Sequence, residues 1–181
     1  LIERLLNSLD RMDATVLNVL DTTQIDEGKL ALEAQIVLLA PCIYEIVNSL
    51  EAAAESAGVK VKIDADDELT VYADQLALTV VLRNLIVNGI DAAAGAENAT
   101  VTIEANKVDS KTVVEVSDNG RGFHPTEGEK LFEKFYRLGN EIRREGRGTG
   151  LGLYIARSLI VESGGELSAH SDGPGRGALF R

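Results

Sequence analysis

Four alternating glycines mark the stretch of this sequence that is best suited to hold an anion. Residues 146–155 read G-R-G-T-G-L-G-L-Y-I, and an apolar run suited to a helix continues from them. Glycine lacks a Cβ atom, so a ligand can approach the backbone closely. A helix that begins there directs unpaired N–H groups and the positive end of its dipole at the preceding loop. The pattern predicts a phosphate-binding loop, although a flexible connection has the same composition.

Two asparagines on one apolar helix are the second feature that could support chemistry. Residues 74–94 follow a helical pattern, and Asn84 and Asn88 stand one turn apart on the same face. They are either structural amides with their own hydrogen-bond partners or oxygen ligands that face a bound polyanion and its metal ion. The side of this helix that we expect to be buried consists of Leu76, Val80, Leu82 (or Val81), Leu85, Ile86 and Ile90.

A carboxylate beside glycines is the third such feature. Asp118 follows a β-rich run and precedes Gly120 and Gly122. At the mouth of a sheet it can accept a hydrogen bond from an exocyclic amine, and the alternative is an ordinary Asp-Asn-Gly turn. The block L-F-E-K-F-Y-R at 131–137 mixes aromatic and basic side chains, and the polar residues 138–147 predict a mobile lid.

The remaining patterns supply the elements that must position these residues. Period-two alternation, proline and glycine delimit the elements. The predicted strands are 30–38, 59–63, 69–72, 100–105, 112–116, 166–171 and 177–181. The predicted helices are 41–57, which begins at Pro41 and stops at Gly58, then 74–94, and one that runs from the glycine loop to Gly164.

Residues 1–24 predict one long helix with an apolar stripe that it cannot bury alone. The stripe recurs at steps of three and four, which is typical of a helical bundle or coiled coil, and extra leucines widen it toward a four-helix bundle. Its members are Ile2, Leu5, Leu9, Met12, Val16 and Val19. We therefore expect a homodimer through this helix, completed by a helix that precedes it.

The composition excludes some classes of function. A formal net charge of −11 argues against nucleic-acid binding, which needs clustered basic residues. A few local basic groups and backbone amides would still suffice for a small polyanion. Hydrophobic residues make up 45% of the chain, which is globular, and we expect no membrane span. Cys42 is the single cysteine and lies in an apolar run, which predicts a buried, inert thiol in a reducing compartment.

Taken in order, the blocks closely resemble the catalytic ATP-binding domain of sensor histidine kinases. They are N-L-I-V-N-G-I-D-A at 84–92, D-N-G-R-G-F at 118–123, L-F-E-K-F-Y-R at 131–137 and G-R-G-T-G-L-G-L at 146–153. They look like that family's N, G1, F and G2 boxes, and the resemblance covers about residues 30–181. It implies binding of ATP and Mg²⁺, with a response-regulator receiver domain as partner.

The resemblance also implies a fold. It is α+β, a two-layer α/β sandwich of the Bergerat type, in which a mixed sheet lies under three main helices and ATP binds between a helix and the lid. One long bundle helix precedes it. The implied divisions are 1–27, the end of the dimerisation and phosphoacceptor hairpin; 28–33, a hinge; and 34–181, the catalytic domain. Localisation is expected to be cytoplasmic, with no membrane contact by this part of the protein; a membrane anchor of the parent would lie outside this sequence.

The resemblance assigns roles to individual residues. Asn88 corresponds to the Mg²⁺ ligand and Asp118 to the residue that reads the adenine amino group, while Asn84, Asn88 and Arg137 form the catalytic set. Asp91 is a departure, because many members carry a basic residue there. The implied nucleotide-binding set is Asn84, Asn88, Asp91, Asp118, Gly120, Gly122, Phe123, Lys134, Tyr136, Arg137, Gly148, Thr149, Gly150, Leu151, Gly152 and Leu153.

Asn84 points to the type of reaction. Related ATPases such as gyrase carry a glutamate there as a general base, and an amide cannot take a proton from water. We therefore favour phosphoryl transfer to histidine over hydrolysis. His124 and His170 lack the surroundings of the family's acceptor, so we expect that histidine upstream of Leu1 and no autophosphorylation by this piece alone. The alternatives are a related clamp-type ATPase and a degenerate module that only dimerises or docks.

Overall fold

The computed structural model describes residues 31–138 and 149–181. Within these residues a five-stranded mixed sheet packs against three helices. This arrangement confirms the expected α+β fold. The predicted helix at 1–24 with its dimer contact, Gly148 and nearly all of the predicted lid lie outside the described residues. The division at 28–33 therefore stays a prediction.

The strands form one main sheet and one small ladder. They are β1 (Gln35–Leu38), β2 (Lys60–Ala65), β3 (Thr70–Ala73), β4 (Thr100–Val108), β5 (Lys111–Asp118), β6 (Ala169–His170) and β7 (Ala178–Phe180). The main sheet has the order β2-β4-β5-β7-β6, and β1 pairs with β3 separately. Only the pairing of β2 with β4 is parallel; β4–β5, β5–β7 and β6–β7 are antiparallel, so both kinds of ladder occur in one sheet.

The hairpin between β4 and β5 is tighter than the sequence predicts. We expected residues 106–111 to form the connection, but Val108 pairs with Lys111 and only two residues turn the chain. Asp109 adopts φ 55°, a left-handed conformation that Asp tolerates better than most residues. The polar residues Asn106 and Lys107 concealed this extension because they stand exposed at the far end of the strand.

The helices follow their local sequence signals closely. Helix α1 (Leu39–Ala57) carries Pro41 in its first turn and ends at Gly58 with φ 69°. Helix α2 (Gln75–Ala93) begins at Asp74, whose carboxylate accepts a hydrogen bond from the Ala77 N–H at 2.9 Å. Helix α3 (Gly152–Glu162) follows the glycine loop.

Leu76 is an error in the predicted buried side of α2. Its side chain is 75% exposed, whereas Ala77 and Leu78 of the same turn are buried, so Leu76 lies on the outward side of the helix start. The sequence left open whether Leu82 or Val81 belongs to the buried side, and in the structure both side chains are buried. Ile86 is fully buried and marks the centre of the core.

Helix α2 is long and apolar enough to cross a membrane by length and composition, which we did not expect from the sequence. Its contacts identify it as the central helix of the fold. It packs against α1, α3, β4 and β5, and its apolar side faces those elements. The apolar composition therefore reflects burial on several sides within the domain.

Candidate functional site

Helix α2 brings Asn84 against the start of α3. The Asn84 Nδ2 donates to the Val80 carbonyl oxygen at 3.0 Å, within its own helix. Its Oδ1 lies 2.7 Å from the position that a Cβ atom on Gly152 would occupy. Only a glycine therefore lets the beginning of α3 approach α2 so closely. The Asn84 amide and the glycine loop are direct neighbours.

The next turn of α2 lies against the end of β5. A Cβ atom on Gly89 would stand 3.2 Å from the Val101 side chain and 3.9 Å from the Cβ of Asp118. Asn88 immediately precedes Gly89 and is half-buried. The same helix thus places Asn84 beside α3 and Asn88 next to the residue that packs on Asp118.

Asp118 has an unusual electrostatic environment for an aspartate at the end of a strand. Burial raises the pKa of this carboxyl above its ordinary value, and the Gly120 N–H, the Arg121 charge and the Ala178 N–H only partly offset that effect. The Gly120 N–H donates to Asp118 Oδ1 at 2.8 Å. The second oxygen of a partly desolvated carboxylate is well suited to accept from a ligand N–H group.

Backbone contacts attach the loop after Asp118 to the end of α2. The Arg121 N–H donates to the Ala92 carbonyl oxygen at 3.1 Å, and Gly120 packs directly on the backbone of Ala92 and Ala93. Phe123, the last residue of this block, is buried. The position of Asp118 relative to α2 is therefore fixed by backbone contacts of the residues that follow it.

The glycine loop meets the block at 131–137 through its backbone. The Phe135 N–H donates to the Gly150 carbonyl oxygen at 3.0 Å, and the Leu151 N–H donates to Thr149 Oγ1 at 3.3 Å. Leu151 occupies the N-cap of α3 and provides no side-chain cap. Among the described residues, the N-cap of α3 thus provides no side chain to the N–H groups of the first turn, which suits an anion site at a helix start.

The remaining predicted residues differ in how closely they approach this region. Leu151 is buried and Leu153 is half-buried in α3, while Arg137 and Asp91 are exposed. Lys134 Nζ lies 4.8 Å from the centre of the Tyr154 ring, so its charge is directed toward α3. Tyr136 donates its hydroxyl hydrogen bond to Glu127 rather than toward the glycine loop.

Ser171 joins several backbone segments near the site through its hydroxyl, a role that the sequence pattern did not reveal. Its buried hydroxyl accepts from the Phe123 N–H at 3.2 Å and donates to the Gly177 carbonyl oxygen at 2.6 Å. It also contacts the backbone of Gly173. A lone serine in a polar loop carries no local signal of such a role, because all of its partners are distant or turn residues.

Replacing Ser171 by Ala is expected to lower the free energy of unfolding by about 1–3 kcal/mol, since buried N–H and C=O groups lose their shared partner. Chemical denaturation of the 181-residue chain would measure this change. Ser168→Ala is the matched control, because that exposed hydroxyl makes one bond at 3.3 Å, and its loss should cost less than about 0.5 kcal/mol. Equal losses in the two variants would contradict the central role of Ser171.

One cavity among the described residues lies away from this region. It measures about 700 Å³ and lies between α1 and the first turn of α2, with Cys42, Thr79 and Arg83 in its wall. Cys42 is buried as expected, and burial raises the pKa of its thiol, which opposes formation of a reactive thiolate.

Comparison with known proteins gives the site a context. Residues 73–181 match the family described as histidine kinase-, DNA gyrase B-, and HSP90-like ATPase. The sensor histidine kinase CusS of Escherichia coli O6:H1 (strain CFT073) is 32% identical over 167 residues, which are 92% of this chain and 34% of CusS. The sensor histidine kinase MtrB of Mycobacterium leprae is 32% identical over 181 residues, which are 99% of this chain and 31% of MtrB.

A solved structure shows the same architecture. The catalytic domain of histidine kinase ThkA superposes with a TM-score of 0.70 at 26% identity, covering 82% of this chain and 93% of that domain. ThkA is matched also in a structure with response regulator protein TrrA, at 25% identity and the same TM-score, over 96% of this chain and 47% of ThkA. This chain spans about a third of the length of the curated relatives named above.

Proposed function

The chain belongs to the histidine kinase-, DNA gyrase B- and HSP90-like ATPase family, and on that premise we propose that it is the ATP-binding kinase domain of a sensor histidine kinase. The proposed reaction moves the γ-phosphoryl group of ATP to a histidine outside this sequence, for relay to an aspartate of a response regulator. The observation that carries this proposal is the convergence of α2 on both Asp118 and the start of α3.

The residues present fit ATP and Mg²⁺. A half-buried carboxylate suits an adenine amino group, and a helix start whose N-cap residue provides no side-chain cap suits phosphate oxygens. Among the described residues no cluster of three or more histidine, cysteine or acidic side chains could hold a metal alone. A Mg²⁺ ion would depend on the Asn88 amide oxygen and on the phosphates themselves, which is its usual mode of binding in nucleotide sites.

We assign the phosphate contacts to the backbone of the glycine loop and to Arg137, with Lys134 close to α3. When bound, Mg-ATP supplies the phosphoryl group and the cation that offsets its charge. The chain's own residues orient that group and neutralise charge, which is most of what phosphoryl transfer requires from a protein. Asn84 cannot deprotonate water, so it favours transfer over hydrolysis.

Several finer points of this proposal concern segments beyond the described residues. We propose that residues 1–24 join a preceding helix in a homodimer, that the catalytic domain begins near residue 34, and that the domain works in the cytoplasm. A response-regulator receiver domain is the proposed partner of the whole protein. The TrrA complex of ThkA supports this choice of partner by analogy.

The direct test is calorimetric titration of the 181-residue chain with a non-hydrolysable ATP analogue, with and without Mg²⁺. Saturable binding that strengthens with Mg²⁺ is expected. Absence of binding in both conditions would overturn the proposal. Steady release of phosphate from ATP by this chain alone would instead favour the clamp-type ATPase, because such turnover needs water to be activated.

Replacing Asn88 by Ala is expected to remove the dependence on Mg²⁺. Affinity for the analogue with Mg²⁺ should fall about tenfold, or ~1.4 kcal/mol, toward the value without the ion. Calorimetry in the two conditions would measure the difference. Asn106→Ala is the matched control, because this exposed asparagine on β4 lies far along the strand from Asp118. An unchanged Mg²⁺ effect in the Asn88 variant would contradict the assignment of this residue.

A further inference from the structure

The carboxylate of Glu127 joins two parts of the candidate site. Its Oε2 accepts from the His124 N–H at 3.1 Å and closes the short 3₁₀ turn that follows Phe123. Its Oε1 accepts from the Tyr136 hydroxyl at 2.9 Å. One side chain therefore connects the segment that continues from Asp118 with the segment that carries Arg137.

Both ends of this connection are anchored to the fold. Gly128, which follows Glu127, is buried, and a Cβ atom there would lie 3.0 Å from the Ala169 carbonyl oxygen, so the turn packs on β6. On the other side, the Phe135 N–H donates to the Gly150 carbonyl oxygen at 3.0 Å. Tyr136 is thus held by Glu127 through its side chain and by the glycine loop through its neighbour.

The direction of the Tyr136–Glu127 bond limits what Tyr136 can do. A phenol has one proton to donate, and a carboxylate can only accept. Burial, together with the nearby Glu127 carboxylate, raises the pKa of Tyr136 and keeps this proton in place. Phosphate oxygens also only accept, so the Tyr136 hydroxyl cannot donate to a phosphate while it donates to Glu127.

We propose that Glu127 is a positioning residue for the phosphate end of the nucleotide. Through Tyr136 it holds the backbone that presents Arg137 beside the glycine loop, and it leaves the adenine contact at Asp118 unaffected. This inference rests on the proposed binding of ATP. It gives Tyr136 an indirect role, in place of the direct nucleotide contact that the sequence resemblance implies.

The test compares two ligands and a double-mutant cycle in the 181-residue chain. The Mg²⁺ complex of the non-hydrolysable analogue is titrated calorimetrically, and adenosine is measured by its displacement of the analogue. Glu127→Ala and Tyr136→Phe should each weaken binding of the analogue by about 3- to 10-fold. Adenosine should change by less than about twofold. The double variant should equal the single variants, since all three remove the same bond.

Two further variants sharpen the result. Glu127→Gln has one accepting oxygen and can keep the Tyr136 bond only by giving up the bond from the His124 N–H, so its loss of affinity for the analogue should be smaller than that of Glu127→Ala. Thr126→Ala lies in the same turn and removes only the contact of Thr126 Oγ1 with His124 Nδ1 at 2.8 Å, so neither ligand should bind differently. Thermal melts identify any variant that is not folded, and Tyr136→Phe, which removes a single hydroxyl, keeps the comparison valid if Glu127→Ala unfolds.

Three results would overturn the inference: equal losses for adenosine and analogue, additive losses in the double variant, or no loss in either single variant. In each case the wild-type chain still binds the analogue, and the proposed function survives. If the wild-type chain binds neither ligand, the proposed function fails and the inference fails with it. The wild-type titration therefore separates the two failures.

Discussion

Replacing Asp118 by Asn is expected to weaken binding of the ATP analogue by about 10- to 100-fold, which corresponds to ~1.5–3 kcal/mol for a hydrogen bond to a charged group. The carboxylate can only accept, whereas the amide presents an N–H group toward the adenine amine in one of its orientations. The bond from the Gly120 N–H can persist, because the amide oxygen still accepts it. The variant thus tests the ligand contact with little change to the loop.

The same variant should leave the unliganded chain as stable as wild type or more stable. The pKa of Asp118 is raised in the folded state, so its contribution to stability is present below the unfolded pKa and is lost as pH rises through the folded value. At neutral pH the wild-type fold therefore carries a buried charge that Asn lacks. A thermal melt without nucleotide would measure this stability. A variant that melts no lower than wild type but binds the analogue more weakly has lost affinity without losing stability.

The pH dependence of binding gives an independent check on Asp118. As pH falls through the raised pKa the carboxyl gains a proton and becomes a weaker acceptor for the adenine amine, so affinity should fall at a higher pH than the ordinary value of 3.8 would allow. Asp118→Asn should lack this step. Asp64→Asn, on the exposed side of edge strand β2, is the matched control and should behave as wild type. Unchanged affinity in Asp118→Asn would refute the placement of the adenine.

The secondary structure could be predicted where its determinants are local. Pro41 marks the first turn of α1, Gly58 ends it and Asp74 begins α2, because such signals act within a few residues of a helix end. The prediction failed where the surroundings decide. Leu76 follows the apolar pattern of α2 and is exposed nevertheless, since the neighbouring elements cover Ala77 and Leu78 of that turn but not Leu76.

The family could also be predicted, because its blocks are contiguous and their order is specific; the match of residues 73–181 confirms the resemblance. The roles of Asn88, Asp118 and Arg137 stay predictions until binding is measured. Ser171 and Gly177 escaped prediction for a physical reason. Ser171 binds the backbone of Phe123 and Gly177 packs on the backbone of Asp118, about fifty to sixty residues earlier in the chain. Such long-range contacts leave no periodic pattern in the sequence.

Gly177→Ala is expected to be the most damaging glycine substitution that we consider, with a loss of about 3 kcal/mol or more in the free energy of unfolding. Gly177 adopts φ 71°, which alone costs an alanine about 1–2 kcal/mol. In addition, its Cβ atom would overlap the carbonyl oxygen of Asp118. The Gly177 N–H donates to the Gly120 carbonyl oxygen at 3.1 Å, so the backbone cannot retreat without releasing the loop.

Gly175 in the same loop provides the matched comparison. It adopts φ 75°, nearly the same conformation, but a Cβ atom there would meet nothing within 4 Å. Gly175→Ala should therefore show only the conformational cost, and the difference between the variants isolates the contact with Asp118. Denaturation measures both, and titration with the ATP analogue should show weaker binding only for Gly177→Ala, because only that Cβ displaces Asp118. Equal stability and equal affinity in the two variants would mean that the loop containing Gly177 can shift at no cost, and that this loop does not hold Asp118 in position.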